Sequence, residues 1–354
     1  MIATTSIEEK DRNLLEAAFY AKPFKFSYSS LNRLLLAPNI FYKEYILKER
    51  EIRTEKHLLQ GTLIHFLLLE GNNFDDYFIL TPEKLPSDNS MKVAHAVHAA
   101  YEVYIKEHPD KTDLELRDFG KTIVATLLEM DLHQNLKDTK DGKGDDKRIA
   151  KIVEPRTEAY FNYLKVKDIK QIIDSETLDM ASLAVEKIKS NEAIMDLLGM
   201  NRESNGTTFN AYNEIALEMN LENLPFGLKG IIDNMTIDVP KKMICINDFK
   251  TSGKALMDFP DTVEYWKYWL QATVYVKLAR EFFKGIMKDD PAWVVQFRFI
   301  VFDKYDHLYA YPVTESTMKK WEESYRDVIE SAKYHYESKD FTLPHQFAVG
   351  NVKL

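Results

Sequence analysis

The spacing of apolar and polar residues changes near residue 209, where a period-two pattern replaces a helical one. Residues 214–221 (Glu-Ile-Ala-Leu-Glu-Met-Asn-Leu) alternate as a half-buried β-strand does. Turn-forming residues at 224–227 separate this segment from a second predicted strand over 228–237, and another turn precedes a third strand over 243–250. Three strands joined by short turns predict an antiparallel meander.

Helical patterns dominate the chain before the first of these strands. The region from about 85 to 200 is highly charged, and its segment 137–147, rich in lysine and aspartate, is interpreted as a solvated loop rather than a binding motif. A short helix that follows serines 29–30 stops at Pro38, and an apolar helix ends at Gly71. The helices predicted in the first part of the chain span residues 7–20, 31–37, 41–53 and 60–70.

The last third of the chain adds helices and a hairpin. A long helix is predicted over 262–284, a hairpin over 293–313 and a final helix over 315–338. Together with the meander they predict an α+β fold, in which a mixed central sheet is flanked by helices and preceded by a helical N-terminal half. The predicted parts are a polar lead-in over 1–22, a helical part over 23–80, a helical insertion over 81–204 and a sheet-containing core over 205–354.

Two aspartates and a lysine lie on consecutive predicted strands. Asp233 and Asp248 are 248 − 233 = 15 residues apart, which is enough for one strand, a turn and most of a second strand. Asp248 and Lys250 are two residues apart, so both side chains leave the same face of a strand. Apolar flanking residues place the three at the rim of a buried sheet, with Asp248 at a solvent-facing strand end.

This arrangement suggests a site for a hard divalent cation. Two carboxylates aimed at one point can bind such a cation, and an ammonium group beside them can orient or activate a water molecule. The alternative interpretation is a surface ion pair at the end of a hairpin. The backbone carbonyl of Phe249 could complete the ligand set. Glu214 begins the first predicted strand, and it is either a further ligand or a polar residue at the sheet edge.

The helix predicted after the lysine presents two polar side chains on one face. Gln271 and Tyr275 are four residues apart, with Lys267 one turn upstream, and an amide and a phenol at this spacing can hold DNA phosphates or bases. The same helix also fits a buried amphipathic helix, and the two interpretations are compatible because the polar and apolar faces are adjacent. Its apolar stripe consists of Trp266, Leu270, Val274 and Leu278.

The histidines offer one further candidate ligand. His65 lies in the apolar helix over 60–70, where a lone histidine is either a core residue or a metal ligand. His95 and His98 are three residues apart without a third ligand, so we interpret them as surface residues. The sequence contains no Gly-x-Ser-x-Gly elbow, no phosphate-binding P-loop and no dinucleotide-binding glycine motif.

Composition limits the remaining possibilities. The single cysteine, Cys245, excludes a disulfide framework and any multi-cysteine zinc or iron–sulfur site, and it fits a reducing compartment. A formal net charge of −9 argues against coating nucleic acid by bulk attraction, but it permits a local basic channel. No apolar run approaches the ~20 residues that cross a bilayer, and the polar N-terminus differs from a secretion signal, so we expect a cytoplasmic protein.

Several segments of the chain form an ordered set of motifs. They are Ser27-Tyr-Ser-Ser-Leu-Asn with Pro38-Asn-Ile-Phe41, Gly61-Thr-Leu-Ile-His65-Phe-Leu-Leu-Leu-Glu70, Gly230-Ile-Ile-Asp233, Asp248-Phe-Lys250-Thr251 and Gln271-Ala-Thr-Val-Tyr275. Each motif alone is weak. In this order they resemble the PD-(D/E)XK nuclease superfamily, and within it the RecB-like branch that includes the phage and prophage RecE-type exonucleases (exonuclease VIII).

The resemblance implies a restriction-endonuclease-like core and assigns roles to the motif residues. His65, Asp233 and Asp248 would bind the metal, and Lys250 would be catalytic together with the two aspartates. Mg²⁺ is the implied cofactor, with Mn²⁺ as a substitute. The four cysteines that carry an iron–sulfur cluster in Cas4-like and AddB-like relatives are missing. The residues implied to support DNA are Gln271, Tyr275, Thr251, Ser27 and Ser30.

The implied activity is hydrolysis of phosphodiester bonds by a Mg²⁺-dependent DNA exonuclease. Such an enzyme would resect double-stranded DNA ends to expose single strands for a phage-type annealing recombinase, in the cytoplasm of a bacterial host cell and away from membranes. A homo-oligomeric ring of three or four copies is the implied assembly. The alternative is a structure-specific endonuclease, or a DNA-binding subunit of the same fold with weak cleavage. The complete Asp/Asp/Lys set argues against a purely binding role.

Overall fold

The chain forms two compact units in its computed structural model, which describes residues 9–49, 56–71, 73–138, 143–167 and 169–352. One unit takes the residues up to Glu70 and those from Ala181 onward, and the other takes Gly71–Met180. The insertion predicted over 81–204 begins and ends later along the chain than this second unit. All the candidate site residues belong to the first unit.

Most strands belong to one mixed sheet. In chain order the strands are β1 (Lys25–Phe26), β2 (Phe78–Leu80), β3 (Gln171–Ile173), β4 (Phe209–Asn220), β5 (Gly227–Asp238), β6 (Met243–Ser252), β7 (Val294–Asp303) and β8 (Leu308–Val313). In the first unit the sheet order is β1-β5-β6-β7-β8, and β4 pairs with β5. The β1–β5 and β6–β7 pairs are parallel, and the other pairs are antiparallel. In the second unit β2 and β3 pair in parallel.

Helices make up much of the rest of the described chain. They are α1 (Glu9–Tyr20), α2 (Tyr28–Leu36), α3 (Pro38–Phe41), α4 (Lys56–Leu69), α5 (Phe74–Tyr77), α6 (Asp88–Glu107), α7 (Gly120–Glu129), α8 (Gly144–Ile152), α9 (Pro155–Val166), α10 (Ser175–Lys189), α11 (Glu192–Leu197), α12 (Phe259–Tyr265), α13 (Tyr268–Phe282), α14 (Lys284–Asp289), α15 (Glu315–Ser338) and α16 (His345–Ala348). A π-helix spans Tyr42–Ile46, and 3₁₀ turns span Leu116–Phe119 and Leu256–Asp258. The mixed sheet flanked by helices confirms the predicted α+β class.

Local sequence explains several helix ends. The Ser27 hydroxyl accepts the backbone N–H of Ser30, and the Ser30 hydroxyl accepts that of Ser27, which is a reciprocal capping box at the start of α2. Pro38 occupies the first turn of α3, where its missing N–H is not needed. Gly71 follows α4 with a φ of 64°, a left-handed conformation that suits glycine after a helix end.

The main hydrophobic core lies between the sheet and helices α2, α13 and α15. Helix α13 packs against β4, β5 and β7, and its buried side chains cover the middle of the sheet. The aliphatic and aromatic residues that the sheet contributes include Leu228, Ile232, Met235, Ile246, Phe297 and Phe299. The second unit has a separate core, which contains Val93, Val97, Leu116, Ile123, Leu127, Ile152 and Phe161.

The side-chain alternation of β5 shifts by one residue at Asp233. Ile232 and Met235 both contribute to the main core although they are three residues apart. Residues on one face of a regular strand are an even number apart, so β5 is irregular between these two positions. On the paired strand β4, Glu214 has a φ of 49°, a conformation that residues other than glycine seldom adopt. Both irregularities lie at the opposed positions Glu214 and Asp233.

Two helix predictions were wrong in extent. The helix predicted over 262–284 is divided into α12 and α13, because Lys267 adopts a φ of 54° between them. Trp266 lies at this break and is half exposed, so it is not part of the apolar stripe. The helix predicted over 41–53 gives way to the π-helix, and Lys48 has a φ of 61°. Residues 7–8 and 50–53 of the predicted helices lie outside the described part of the chain.

Replacement of Gly230 by alanine tests the packing of α13 on β5. A Cβ at this position would lie 2.8 Å from Cε1 of Tyr275 and 3.2 Å from Cδ1 of Leu278. Because neither group can move freely within the core, we expect Gly230→Ala to lower the free energy of unfolding by ~1–3 kcal/mol in urea denaturation. In the matched Gly253→Ala variant nothing lies within 4 Å of the new Cβ, and we expect a change below ~0.5 kcal/mol. Equal stability of the two variants would contradict this packing.

Candidate active site

The pairing of β5 with β6 ends immediately before the two aspartates. The last paired residues are Asn234 and Asn247, which directly adjoin Asp233 and Asp248. At this point the backbone N–H of Phe249 donates to Oδ2 of Asp233 (2.8 Å) rather than to a strand carbonyl. The carboxylate thus takes the place of a strand partner, and the neighbouring side chains converge where the strands separate.

His65, Glu214 and Asp233 form a compact group of ligand atoms. His65 comes from α4, Glu214 from β4 and Asp233 from β5. Nδ1 of His65 is 3.2 Å from Oε1 of Glu214, and its Nε2 is 3.0 Å from Oδ2 of Asp233. One ligand atom of each side chain lies within 4.8 Å of the other two. At this spacing a single cation can contact all three side chains.

His65 lies between the two carboxylates, and both affect its pKa. Its Nε2 is hydrogen-bonded to Asp233, and its Nδ1 lies at ion-pair distance from Glu214. Burial lowers the pKa of His65, but the hydrogen bond and charge of Asp233, followed by the charge of Glu214, outweigh burial and raise it. Against its own burial, the pKa of Asp233 is lowered by His65, by Lys250 and by the Phe249 N–H. A divalent cation bound here would therefore compete with the imidazole proton.

Glu214 lies in the middle of β4 and not at its beginning, because the strand starts at Phe209. Its neighbours Asn213 and Ile215 pair with Asn234 and Ile232, so Glu214 faces Asp233 across the two strands. Burial raises the pKa of Glu214 to about 7, although the charge of His65 opposes this. The antiparallel register of the meander was the sequence signal that could have joined Glu214 to Asp233.

Asp248 and Lys250 form a buried ion pair beside this group. Oδ2 of Asp248 is 2.6 Å from Nζ of Lys250. Asp248 is 0% exposed, so the prediction of a solvent-facing strand end was wrong. The reason is that β6 continues to Ser252 and lies between β5 and β7. Burial, and then the charge of Asp233, raise the pKa of Asp248 to about 7.

Lys250 remains a cation at neutral pH. Burial lowers its pKa, but the charges of Asp248 and Asp233 outweigh burial and raise it. Its Nζ lies 5.0 Å from the centroid of the Tyr268 ring, a distance that permits a cation–π contact. A lysine that stays protonated cannot act as a base. It can instead stabilise developing negative charge or orient a water molecule.

Gln271 and Tyr275 lie on a buried face of α13. Nε2 of Gln271 donates to the Tyr275 hydroxyl (3.1 Å). Burial raises the pKa of Tyr275, and the charges of Asp248 and Asp233 raise it further, so its hydroxyl lies within the electrostatic field of both carboxylates. The role of the two residues in supporting DNA stays a prediction.

The other residues predicted to support DNA lie where motifs contact one another. Ser27 and Ser30 cap α2, and Ser30 is buried. Thr251 is exposed, and its Oγ1 would lie only 2.7 Å from a Cβ at Gly61, so the glycine lets α4 approach β6 closely. The roles of these side chains in DNA binding stay predictions.

Two tyrosines beside the lysine were missed by the sequence analysis. Tyr268 lies at the start of α13, and its ring centroid is 6.3 Å from that of Tyr28. The Tyr28 hydroxyl donates to the backbone carbonyl of Trp266 (2.5 Å), which holds the break before α13 against α2. Tyr28 is inside the Ser27–Asn32 motif, and Tyr268 is three residues before Gln271, so helical spacing could have indicated both.

The donor set fits a divalent cation that prefers oxygen and imidazole ligands, such as Mg²⁺ or Mn²⁺. Oδ1 of the buried Asp248 has no hydrogen-bond partner among the described residues, so it is available as a further ligand. Among those residues the tight group contains His65, Glu214 and Asp233, with Asp248 beside it rather than within it. A ligand role for the Phe249 carbonyl stays a prediction.

The central strands of the mixed sheet bring together carboxylates that can bind a metal ion and a lysine that can stabilise negative charge. The chain matches the PD-(D/E)XK nuclease superfamily over residues 25–341 and belongs to that superfamily, which confirms the predicted superfamily. The solved structures similar to this chain include a "putative exonuclease" from Eubacterium rectale. The two chains have 10% identity and a TM-score of 0.38, over 93% of this chain and 86% of that one. No curated protein sequence matches the chain.

None of the helices in the described ranges is long and apolar enough to cross a membrane.

The affinity for a divalent cation should fall as the pH is lowered from 8 to 6. The pKa of His65 is raised, and those of Glu214 and Asp248 are about 7, so acid protonates groups that must lose protons to bind a metal. We expect the Mn²⁺ dissociation constant to rise roughly tenfold per pH unit for each proton released. Calorimetric titration in buffers of different ionisation enthalpy measures both the affinity and the number of protons. A His65→Asn variant should release fewer protons, and equal affinity at pH 6 and 8 would contradict the assignment.

Replacement of Asp248 by asparagine tests the raised pKa of this buried carboxyl group. The folded-state pKa of Asp248 is about 7, above its ordinary value of 3.8. The stability that this carboxyl contributes is therefore fully present below about pH 3.8 and is lost as the pH rises from there through about 7. Asparagine stays neutral, so in EDTA the melting temperature of the variant minus that of the wild type should be more positive at pH 8 than at pH 5. A difference that shrinks with rising pH would contradict the raised pKa.

Proposed function

We propose that this protein is a Mg²⁺-dependent DNA exonuclease of the RecE type. In this proposal it acts in the cytoplasm of a bacterial host cell and resects double-stranded DNA ends to expose single strands for recombination. The observation that carries the proposal is the convergence of His65, Glu214 and Asp233 beside the buried Asp248–Lys250 pair, within a chain of the PD-(D/E)XK nuclease superfamily.

The side chains divide the chemistry between binding and charge stabilisation. His65, Glu214 and Asp233 would hold the metal ion, and Oδ1 of Asp248 could add a ligand. When bound, the ion would polarise the scissile phosphate and lower the pKa of an attacking water. Lys250, fixed by Asp248 (2.6 Å) and by the Tyr268 ring, would orient that water and offset charge on the phosphate. The water adds to phosphorus, the bond to the 3′ oxygen breaks, and that oxygen takes a proton.

Exposed aromatic residues support an approach of DNA beside Lys250. Tyr265 is largely exposed and Trp266 is half exposed at the break between α12 and α13, and Lys267 adds a positive charge at the same turn. Aromatic side chains beside lysines can stack on bases and contact phosphates without sequence preference. The Tyr28–Trp266 hydrogen bond anchors this turn to α2, so the aromatic residues are presented in a fixed position next to Tyr268.

We infer a homo-oligomeric ring of three or four copies, and an annealing recombinase that receives the exposed strand. Both inferences depend on the motif resemblance to RecE-type enzymes. A ring would keep the enzyme on one DNA strand between successive cleavages, and measurement of the solution mass at several concentrations would test it.

Digestion of end-labelled linear duplex DNA, with a covalently closed circle as a second substrate, tests the activity. We expect Mg²⁺-dependent release of nucleotides from the linear ends, no cleavage of the circle and no activity in EDTA. Lys250→Met should reduce the rate on the order of a hundredfold or more, because a fixed cation at the phosphate is removed.

The matched control is Lys241→Met, at the other end of the β5–β6 hairpin, where the lysine is largely exposed and pairs with Asp238. It should leave the rate unchanged. Cleavage of the closed circle would show an endonuclease instead. Activity that survives exhaustive chelation would contradict the metal-dependent mechanism.

A further inference from the structure

Three asparagines lie side by side across the central strands. Asn213 on β4 pairs with Asn234 on β5, and Asn234 pairs with Asn247 on β6. Asn234 and Asn247 are each 0% exposed. Each asparagine directly adjoins one carboxylate of the candidate site along its strand, these being Glu214, Asp233 and Asp248 respectively.

The three amides form a continuous hydrogen-bonded row, which we call the asparagine ladder (Asn213, Asn234 and Asn247). Nδ2 of Asn247 donates to Oδ1 of Asn234 (2.6 Å), and Nδ2 of Asn234 donates to Oδ1 of Asn213 (2.7 Å). These side-chain bonds run across the sheet at the last position where β5 and β6 still pair. The ladder therefore fixes the spacing of the three strands next to the positions of the carboxylates.

The ladder also binds the ends of two helices. Nδ2 of Asn213 donates to the carbonyl of Leu69 (2.8 Å), the last residue of α4. The amides of Asn234 and Asn247 each donate a second bond, of 3.0 Å, to the carbonyls at the end of α11, Leu198 and Leu197. Carbonyls at a helix C-terminus lack partners within the helix, so they are ready acceptors. Because His65 is one turn before Leu69, the first of these bonds connects the histidine's helix to the strand of Glu214.

Packing alone does not require amides at these positions. Asparagine is disfavoured in strands, and a buried amide is costly unless its donors and acceptors are paired. One step further from the site on the same sheet face, the corresponding residues are Ala211, Thr236 and Cys245. An amide can hold strands together by both donating and accepting, and it stays neutral, so it adds no charge beside three carboxylates.

We propose that the asparagine ladder positions Glu214, Asp233 and His65 for metal binding. Mg²⁺ demands near-ideal octahedral geometry, and a site of this kind needs its ligands held within ~0.5 Å. The asparagine ladder holds the strands together at the last paired position, which directly adjoins the carboxylates. Its asparagines are positioning residues, since they act through the adjoining carboxylates and the helix of His65. This inference rests on the proposed function.

Asn234→Leu tests the ladder, because leucine has a similar volume and makes no hydrogen bonds. The matched control is Thr236→Val, a buried polar-to-apolar change on the same strand and sheet face, two residues further from the site. Three quantities are measured on the full chain: Mn²⁺ affinity by calorimetry without DNA, the melting temperature in EDTA, and kcat and KM for linear duplex DNA over a Mg²⁺ titration.

We expect Asn234→Leu to weaken Mn²⁺ binding at least tenfold and to shift the half-saturating Mg²⁺ concentration upward, with KM for DNA at saturating Mg²⁺ unchanged. Thr236→Val should leave Mn²⁺ affinity within twofold of the wild type, whatever its effect on melting temperature. If Asn234→Leu does not fold, Asn213→Ala is measured instead, because Asn213 is exposed and its replacement leaves the buried Asn234–Asn247 bond in place. This variant loses the bonds to Leu69 and to Asn234, and it should also bind Mn²⁺ more weakly than the wild type.

Wild-type Mn²⁺ affinity in the folded ladder variants would overturn the positioning role while leaving the proposed nuclease intact. The positioning role is also overturned if the wild-type chain cleaves DNA but Thr236→Val loses as much Mn²⁺ affinity as the ladder variants do. The loss would then reflect general destabilisation. If the wild-type chain neither binds Mn²⁺ nor cleaves DNA, the proposed function fails, and the positioning role fails with it.

Discussion

The candidate site depends on the interruption of strand pairing at Asp233. The carboxylate of this residue accepts a hydrogen bond from the Phe249 N–H, and the backbone pairing between β5 and β6 ends there. The register of β4 and β6 on β5 sets Glu214 and Asp248 opposite Asp233, so the three carboxylates leave the same face of the sheet. Where the regular pairing stops, Glu214 has a left-handed backbone, and both it and Asp233 lie within 3.2 Å of the His65 ring nitrogens. The site therefore combines a strand register that aligns the carboxylates with a break in pairing that lets Asp233 accept the Phe249 N–H.

The site buries ionisable side chains, although burial disfavours their charged forms. Burial raises the pKa of Asp248 and of Glu214 to about 7, and Lys250 is held protonated by its carboxylate neighbours. Buried charges of this kind contribute little to stability even when paired. The large apolar core around α13 offsets this cost. A cation that replaces the imidazole proton of His65 would neutralise the carboxylates, so the site is balanced for metal rather than for stability.

Contacts between motifs explain why they occur as an ordered set. Gly61 makes room for Thr251, so the helix of His65 approaches the strand of Lys250. Gly230 makes room for the ring of Tyr275, which brings α13 onto the strand of the first aspartate. The Tyr28 hydroxyl bonds the backbone just before α13. Two of the motifs therefore contain a glycine that makes room for a side chain of another motif, and a third is hydrogen-bonded to the backbone before α13.

The sequence alone determined the class of fold, because periodicity and turn residues depend on local chain geometry, and helix α15 was predicted over its full length, 315–338. The two-residue spacing also indicated that Asp248 and Lys250 share one strand face, and in the structure the two side chains form an ion pair. The tertiary structure decided the rest. Glu214 joins the cluster only through the register of β4 on β5, and Asp248 is buried only because β7 covers the far edge of β6. Period two gives the face of a strand, whereas depth and neighbours are set by the order of strands in the sheet.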